Sequence, residues 1–497
     1  MDNLAHGWKI HQKGLHSKAA QAYQRELNDP TAPPQRKALA WCYLGILYYD
    51  LGKYSRSLAA YDTAIQLHPS FPVALSNRAN TLSALNRIDE AVASCEAALQ
   101  LKPEYSTAWT NLGTIRTNCG QLDAAIECFE KSLSFLPADN EPAHRNLGAA
   151  LTYQGCFQDA LRHTAQAIQI NPHSAEAHRN HATLMLLHED FEQGWEEYEW
   201  RIQCKDFNLP EYPFPRYAGG SLCGKSLLLH AEQGLGDSIH FIRYAQLAKH
   251  AGARVFFHCP PALCKLFGHL SFIDQIIPVS SKTPECDFYL PLMSAPHIFQ
   301  TRLETIPRDT PYITPNPKLI EHWKNWLSQQ PGRLKVGLVW QGNPDHPADW
   351  QRSLPFRVLD GLAHPDVTFI PLQLGHGREQ LSDETALNIA DPGEQLDHDT
   401  GPFMDTAAII SQLDLVIGSD TAVIHLAGAL HVPTWVALSV APDWRWMLNR
   451  DDSPWYPSMK LFRQSQRGDW SDVVESMRSL LKTIQPCKRQ RFIATKK

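Results

Sequence analysis

The sequence has no apolar run approaching the roughly 20 residues that cross a bilayer, and residues 1–14 contain no apolar signal core. Its eleven cysteines form no CxxC pair. Scattered through apolar helical patterns, as Cys42, Cys95 and Cys128 are, they read as buried free thiols of a reducing compartment rather than disulfides or zinc ligands. Neither sign of charge dominates: the formal net charge is -6 over 497 residues, which gives no whole-chain attraction to nucleic acid or anionic membrane. No DxD metal motif closes an apolar strand-like run. These absences argue against a membrane-spanning chain, a disulfide scaffold, a metal site and a general nucleic-acid binder. They leave a cytoplasmic protein whose partners are set locally. The length exceeds what one core organises, so two or three domains are expected.

What is present first is a repeat. Trp41, Leu44, Gly45, Tyr48, Gly52, Tyr61, Ala64 and Pro69 recur with a period of about 34 residues. The next copies carry Leu75, Ala79, Leu82, Ala91 and Pro103, then Trp109, Leu112, Gly113, Gly120, Phe129 and Pro137. After one inserted residue follow Leu147, Gly148, Gly155, Ala160 and Pro172, then Ala182, Phe191, Gly194 and Tyr198. Gly7, Gly14, Ala19 and Tyr23 fit a degenerate first copy. Small residues let paired helices approach, large ones fill the gaps between pairs, and the prolines close second helices. The pattern resembles the tetratricopeptide (TPR) repeat, which implies a helical solenoid over residues 1–204 whose function is binding. Asn77, Asn111, Asn146 and Asn180 share one repeat position. A row of carboxamides can grip the backbone of an extended peptide or bond neighbouring helices, and both readings stay open.

Residues 205–225 are rich in proline and glycine and read as a linker with little helix or strand. Gly219, Gly224, Lys225 and Ser226 satisfy the phosphate-loop spacing, but an apolar strand follows the glycines where that chemistry needs a helix. A regulatory ATPase would rest on this reversed match alone. Short apolar strands then alternate with helices, SLLLHAE, a helix from Ser238 to Ala251, RVFFHC, QIIPVS and DFYLPL, and again KVGLVWQ, VTFIPLQ, LDLVIGSD and TWVALS. This is parallel α/β texture in two Rossmann-like halves, 226–315 and 316–485, before a basic tail at 486–497.

Two strings carry candidate chemistry. Gly234-Leu235-Gly236-Asp237 places Asp237 at a helix start beyond a strand end, as a site residue or as a helix cap. Ser419-Asp420-Thr421 ends another strand, with His425 one turn into the next helix, which suits a diphosphate at free helix amides. With these motifs the segment 226–485 resembles the TPR-linked bacterial glycosyltransferases related to ADP-heptose:lipopolysaccharide heptosyltransferases. The resemblance implies a GT-B pair of halves, a nucleotide-diphosphate sugar as co-substrate, no other cofactor and no metal. It maps the general base to Asp237, near Gly236 and His240, and donor binding to Asp420, Thr421 and His425. Two departures stand out. The family's glycine after Asp-Thr is Ala422 here, and its donor-phosphate lysine is absent, leaving Arg352 and Ser353 as substitutes. Asp443, Trp444 and Arg445, in a segment mixing aromatics and charges, are further candidates for a stacking site or a lid.

TPR repeats joined to such halves also resemble the architecture of O-GlcNAc transferases, which implies a protein acceptor held by the repeat groove. The expected activity is therefore transfer of a sugar to an acceptor hydroxyl. The alternative is a non-catalytic scaffold with a degenerate GT-B domain.

Overall fold

The structure is a computed structural model that describes residues 2–136, 139–346 and 348–485. Pro137 of the third repeat and the basic tail 486–497 lie outside the described residues. The chain divides into two compact units, Met1–Asn180 and His181–Lys497.

The first unit is built of helical hairpins. Asn3–His11 pairs with His16–Asn28, Pro34–Asp50 with Tyr54–Leu67, and Pro72–Ala84 with Ile88–Leu101. Ser106–Asn118 with Leu122–Phe135 and Glu141–Gln154 with Phe157–Ile170 continue the series. The small residues of the period do what close packing requires. A Cβ on Gly45 would stand 2.7 Å from the Tyr61 ring, and one on Gly113 2.6 Å from Phe129. Each glycine thus admits the aromatic of the partner helix. Pro69, Pro103 and Pro172 stand just beyond the ends of second helices, where their missing N–H is harmless.

The second unit contains two parallel sheets. Strands β1 Ser226–His230, β2 Arg254–Cys259, β3 Gln275–Pro278 and β4 Phe288–Pro291 lie in the order β3-β2-β1-β4. Strands β5 Leu334–Val339, β6 Val367–Pro371, β7 Leu415–Ser419, β8 Thr434–Leu438 and β9 Met459–Arg463 lie in the order β6-β5-β7-β8-β9. The apolar runs of β1, β2, β6, β7 and β8 are buried almost throughout, as parallel strands covered on both faces must be, while β3 and β4 are half-buried. In each sheet the chain steps outward on one side of the first strand and then returns on the other. The order therefore reverses between β1 and β4 and between β5 and β7. Ligands of open α/β sheets bind beyond the carboxyl ends of strands at such reversals.

Three sequence expectations change. The helix expected from Ser238 to Ala251 is two helices, Leu235–Phe241 and Tyr244–His250. The break comes where the buried Arg243 donates its Nε–H to the His240 carbonyl at 2.8 Å, an acceptor a continuous helix would use. The aromatic and charged segment after Ser439 contains an edge strand, β9, paired with β8. The linker has little helix or strand, as expected, and is packed down: the Tyr217 amide donates to Tyr289 O at 2.8 Å, and Tyr212 and Phe214 pack on Tyr289. Finally, the unit boundary falls before residue 204. The last repeat helix, Phe191–Tyr198, packs within the second unit, where the Trp195 indole donates to Thr301 O at 3.1 Å.

Candidate active site at the carboxyl ends of the two sheets

Beyond β1 the chain turns sharply. Glu232 is buried and held by Arg201, whose Nε and Nη2 donate at 2.9 and 2.8 Å, and by the Met293 amide at 2.9 Å. Gly234 then opens the helix Leu235–Phe241. Asp237 Oδ2 accepts from the Gly234 amide at 2.8 Å, so the capping role read from the sequence is real. Its other oxygen, Oδ1, is used differently and accepts from Arg445 Nη2. Arg445 also donates through Nη1 to Asp443 Oδ1 at 2.7 Å, lies 4.4 Å from the Trp444 ring centroid and leaves Nε unpartnered. Burial opposes its charge, but Asp443 and Asp237 outweigh that and raise its pKa.

Beyond β7 comes the second wall. Thr421 caps the helix Ala422–Ala429 in extended conformation, with its hydroxyl engaged by no partner, and the Ser419 hydroxyl is buried in the same state. The first amides of this helix have no acceptor within it. His425 is fixed from both sides, Nε2 lying 3.4 Å from Asp420 Oδ1 and Nδ1 3.1 Å from the Tyr456 hydroxyl. Burial works against the Asp420 carboxylate, yet the hydrogen bond and charge of His425, with the charge of Arg445, hold its pKa below the ordinary carboxylate value. The two walls touch. A Cβ on Gly236 would lie 3.1 Å from His425 Cδ2 and 3.5 Å from Ala422 Cα. Ala422, the residue that departs from the resemblance, therefore faces the glycine turn itself.

The third element is the loop after β5. Asp349, buried, pairs with Arg352 Nε at 3.0 Å and accepts from the Ser353 hydroxyl at 2.9 Å. That hydroxyl in turn accepts from the Gly342 amide at 3.0 Å. Arg352 and Ser353 are thus tied first to Asp349. His346 of the same loop feels the charges of Arg352, Asp349, Asp443 and Asp420, with partial burial and Arg352 pushing its pKa down. It belongs to the same constellation.

Sequence reasoning missed His346, Asp349 and Tyr456. The first two lie in a loop whose importance follows from the strand order, which the sequence does not print. Tyr456 is brought to His425 only by tertiary packing. His240 is fully buried among Phe241, Trp455 and His425, with neither ring nitrogen partnered, and forms part of the aromatic wall behind His425. The phosphate-loop residues are otherwise employed: Lys225 Nζ and the Ser226 hydroxyl both donate to Asp287, at 3.1 and 2.7 Å, and β1 follows directly. In the repeats, Asn111 Nδ2 donates to Ser76 O and Oγ at 3.2 and 2.9 Å, and Asn146 Nδ2 to Thr114 Oγ1 at 2.9 Å. Asn77 bonds Cys42. Each of these three carboxamides reaches the first helix of the preceding hairpin. Asn180 occupies the same position in the helix Ala175–Leu187.

No helix among the described residues is long and apolar enough to cross a membrane. Residues 38–71, 73–105 and 106–138 match tetratricopeptide repeat families, and the N-terminal region is a TPR protein-interaction element. The chain is 27% identical over 326 residues to Protein FlbA of Caulobacter vibrioides, covering 61% of this chain and 54% of FlbA. It thus spans about half the length of that relative. Among solved structures, TTC0263, a TPR protein of Thermus thermophilus, is similar with a TM-score of 0.34 at 18% identity, over 37% of this chain and 97% of that one. YrrB, a TPR protein described as having an unusual peptide-binding site, scores 0.27 at 22% identity, over 37% and 92%. The repeat assignment rests on the family matches and the hairpins, not on these scores.

Proposed function

We propose that the second unit is a glycosyltransferase whose two sheets form a GT-B pair, moving a sugar from a nucleotide-diphosphate sugar to an acceptor hydroxyl. The observation that carries this reading is the meeting of two strand ends. Asp237 stands on one wall, and the open helix start at Asp420–Thr421 stands against it on the other. In the step, the acceptor hydroxyl gives its proton to Asp237 and its oxygen bonds to the anomeric carbon. The bond from that carbon to the diphosphate breaks, and its electron pair stays on the diphosphate oxygen. Helix amides, Thr421 and Arg445 would hold the charge that develops there, so we assign no metal to the step. The acceptor could be a side-chain hydroxyl of a protein bound by the repeats.

A specific observation favours a second reading, a non-catalytic scaffold. Arg445 occupies the oxygen that Asp237 would need, and Ala422 stands against the glycine turn opposite. Incubating the full chain with UDP-, GDP- and ADP-sugars, reading both melting temperature and release of the nucleoside diphosphate, separates the two. Stabilisation with release supports the enzyme, and stabilisation without release the scaffold.

A further inference from the structure

Three carboxylates, Asp237, Asp443 and Asp420, surround one guanidinium. Arg445 is ion-paired to the first two, and its charge acts on the third, which precedes the cap of the open helix of the opposite wall. It is 5% exposed, held near Trp444 and Phe241, and keeps an unpartnered Nε. A diphosphate entering at Thr421 would meet the charges of Asp237 and Asp443 as well as Asp420. A cation that changes partners would offset that repulsion.

Resting on the donor-site reading above, we infer that Arg445 is a shared cation that the incoming diphosphate takes over from Asp237. Arg352 is tied to Asp349, which leaves Arg445 as the cation for the diphosphate. The transfer also frees Asp237 Oδ1, so the base becomes available only when the donor is in place. Asp443 keeps its hold on Nη1 throughout and serves as the pivot.

A fixed structural tie and a transferable cation predict opposite results for one substitution. Calorimetric titration of the full chain with UDP, GDP and ADP, each beside its parent nucleoside, supplies the comparison. For whichever diphosphate binds, Asp237→Asn should tighten the dissociation constant roughly three- to tenfold, because a competing carboxylate is gone. Nucleoside affinity should not move. Arg445→Ala should weaken the diphosphate about tenfold or more, and Arg445→Lys should restore part of the loss. Melting temperatures on the same preparations identify any variant that fails to fold, and the Asp237→Asn arm decides alone if Arg445→Ala does. Diphosphate binding that is unchanged or weaker in Asp237→Asn would overturn the inference while leaving the donor site standing. No binding of any of the three by wild type or variant would overturn both.

Discussion

At the scale of single residues, environment separates groups that look alike in sequence. His240 and His425 both follow helix-opening aspartates, yet one lies in an aromatic wall and the other is fixed between Asp420 and Tyr456. Spacing alone could not tell them apart, because the difference is made by Tyr456 and Trp455 from far along the chain. A third histidine, His230, was unremarked in sequence. The Tyr212 hydroxyl lies 2.6 Å from its Nδ1, and His258 Nδ1 lies 3.1 Å away. Burial, then the charge of His258, pushes the His230 pKa down to about 4. Between that value and the ordinary 6.5, the unfolded chain binds a proton that the folded one refuses. The stabilising contribution is therefore complete above pH 6.5 and is lost as pH falls toward 4, at about 1.4 kcal/mol per unit. His230→Asn, which keeps a hydrogen-bonding partner for Tyr212, should show a shallower fall of melting temperature across that window than wild type. Parallel curves would contradict the assignment.

At the scale of elements, the period of the repeats was legible because close packing recurs at one position: Gly45 faces Tyr61, Gly113 faces Phe129 and Gly148 faces Thr164. The strands were legible where both faces are buried, as in β1, β2 and β7, since a continuous apolar run needs no alternation to be recognised. The edge strand β9, with Lys460 and Arg463 among its five residues, carried no such signal. The asparagine row was visible as a row, but its partners were not. With Asn111 bonded to Ser76 and Asn146 to Thr114, these side chains join successive hairpins. Asn111→Ala and Asn146→Ala should each lower the stability of the repeat unit by about 1 kcal/mol, the net worth of such bonds. Denaturant unfolding of the full chain, followed by helical circular dichroism, provides the check. Unchanged stability in both variants would leave the carboxamides free for a peptide backbone.

At the scale of the whole molecule, the surprise is where the units divide. The sequence shows a texture change near residue 204, yet Trp195 and Tyr198 pack on Trp444, and Arg201 closes a buried pair with Glu232. The helix Phe191–Tyr198 has a repeat's sequence and the second unit's contacts. It touches the site through Trp444, beside Arg445, and through the Gln233 carboxamide, which donates to the Tyr198 hydroxyl at 3.1 Å. Arg201→Ala strands Glu232 beneath the β1 turn and should cost about 3 kcal/mol or more. In a calorimetric scan the transition of the second unit should fall, while that of the repeats stays. A drop confined to the repeats would return this helix to the first unit.

The catalytic reading depends on Asp237 being more than a cap. Asp237→Asn keeps the side-chain size and an acceptor for the Gly234 amide, while Arg445 retains Asp443. Loss of the Arg445 pair should cost about 1 to 3 kcal/mol, so the variant should fold. An amide cannot take the acceptor's proton, however, and turnover should fall roughly a hundredfold or more. The direct measurement is release of nucleoside diphosphate from the sugar donor that stabilises the chain, with wild type and Asp237→Asn compared at saturating donor. The account predicts release by wild type and almost none by a folded variant that still binds donor. Equal release by both, or none by wild type with any UDP-, GDP- or ADP-sugar, would contradict it.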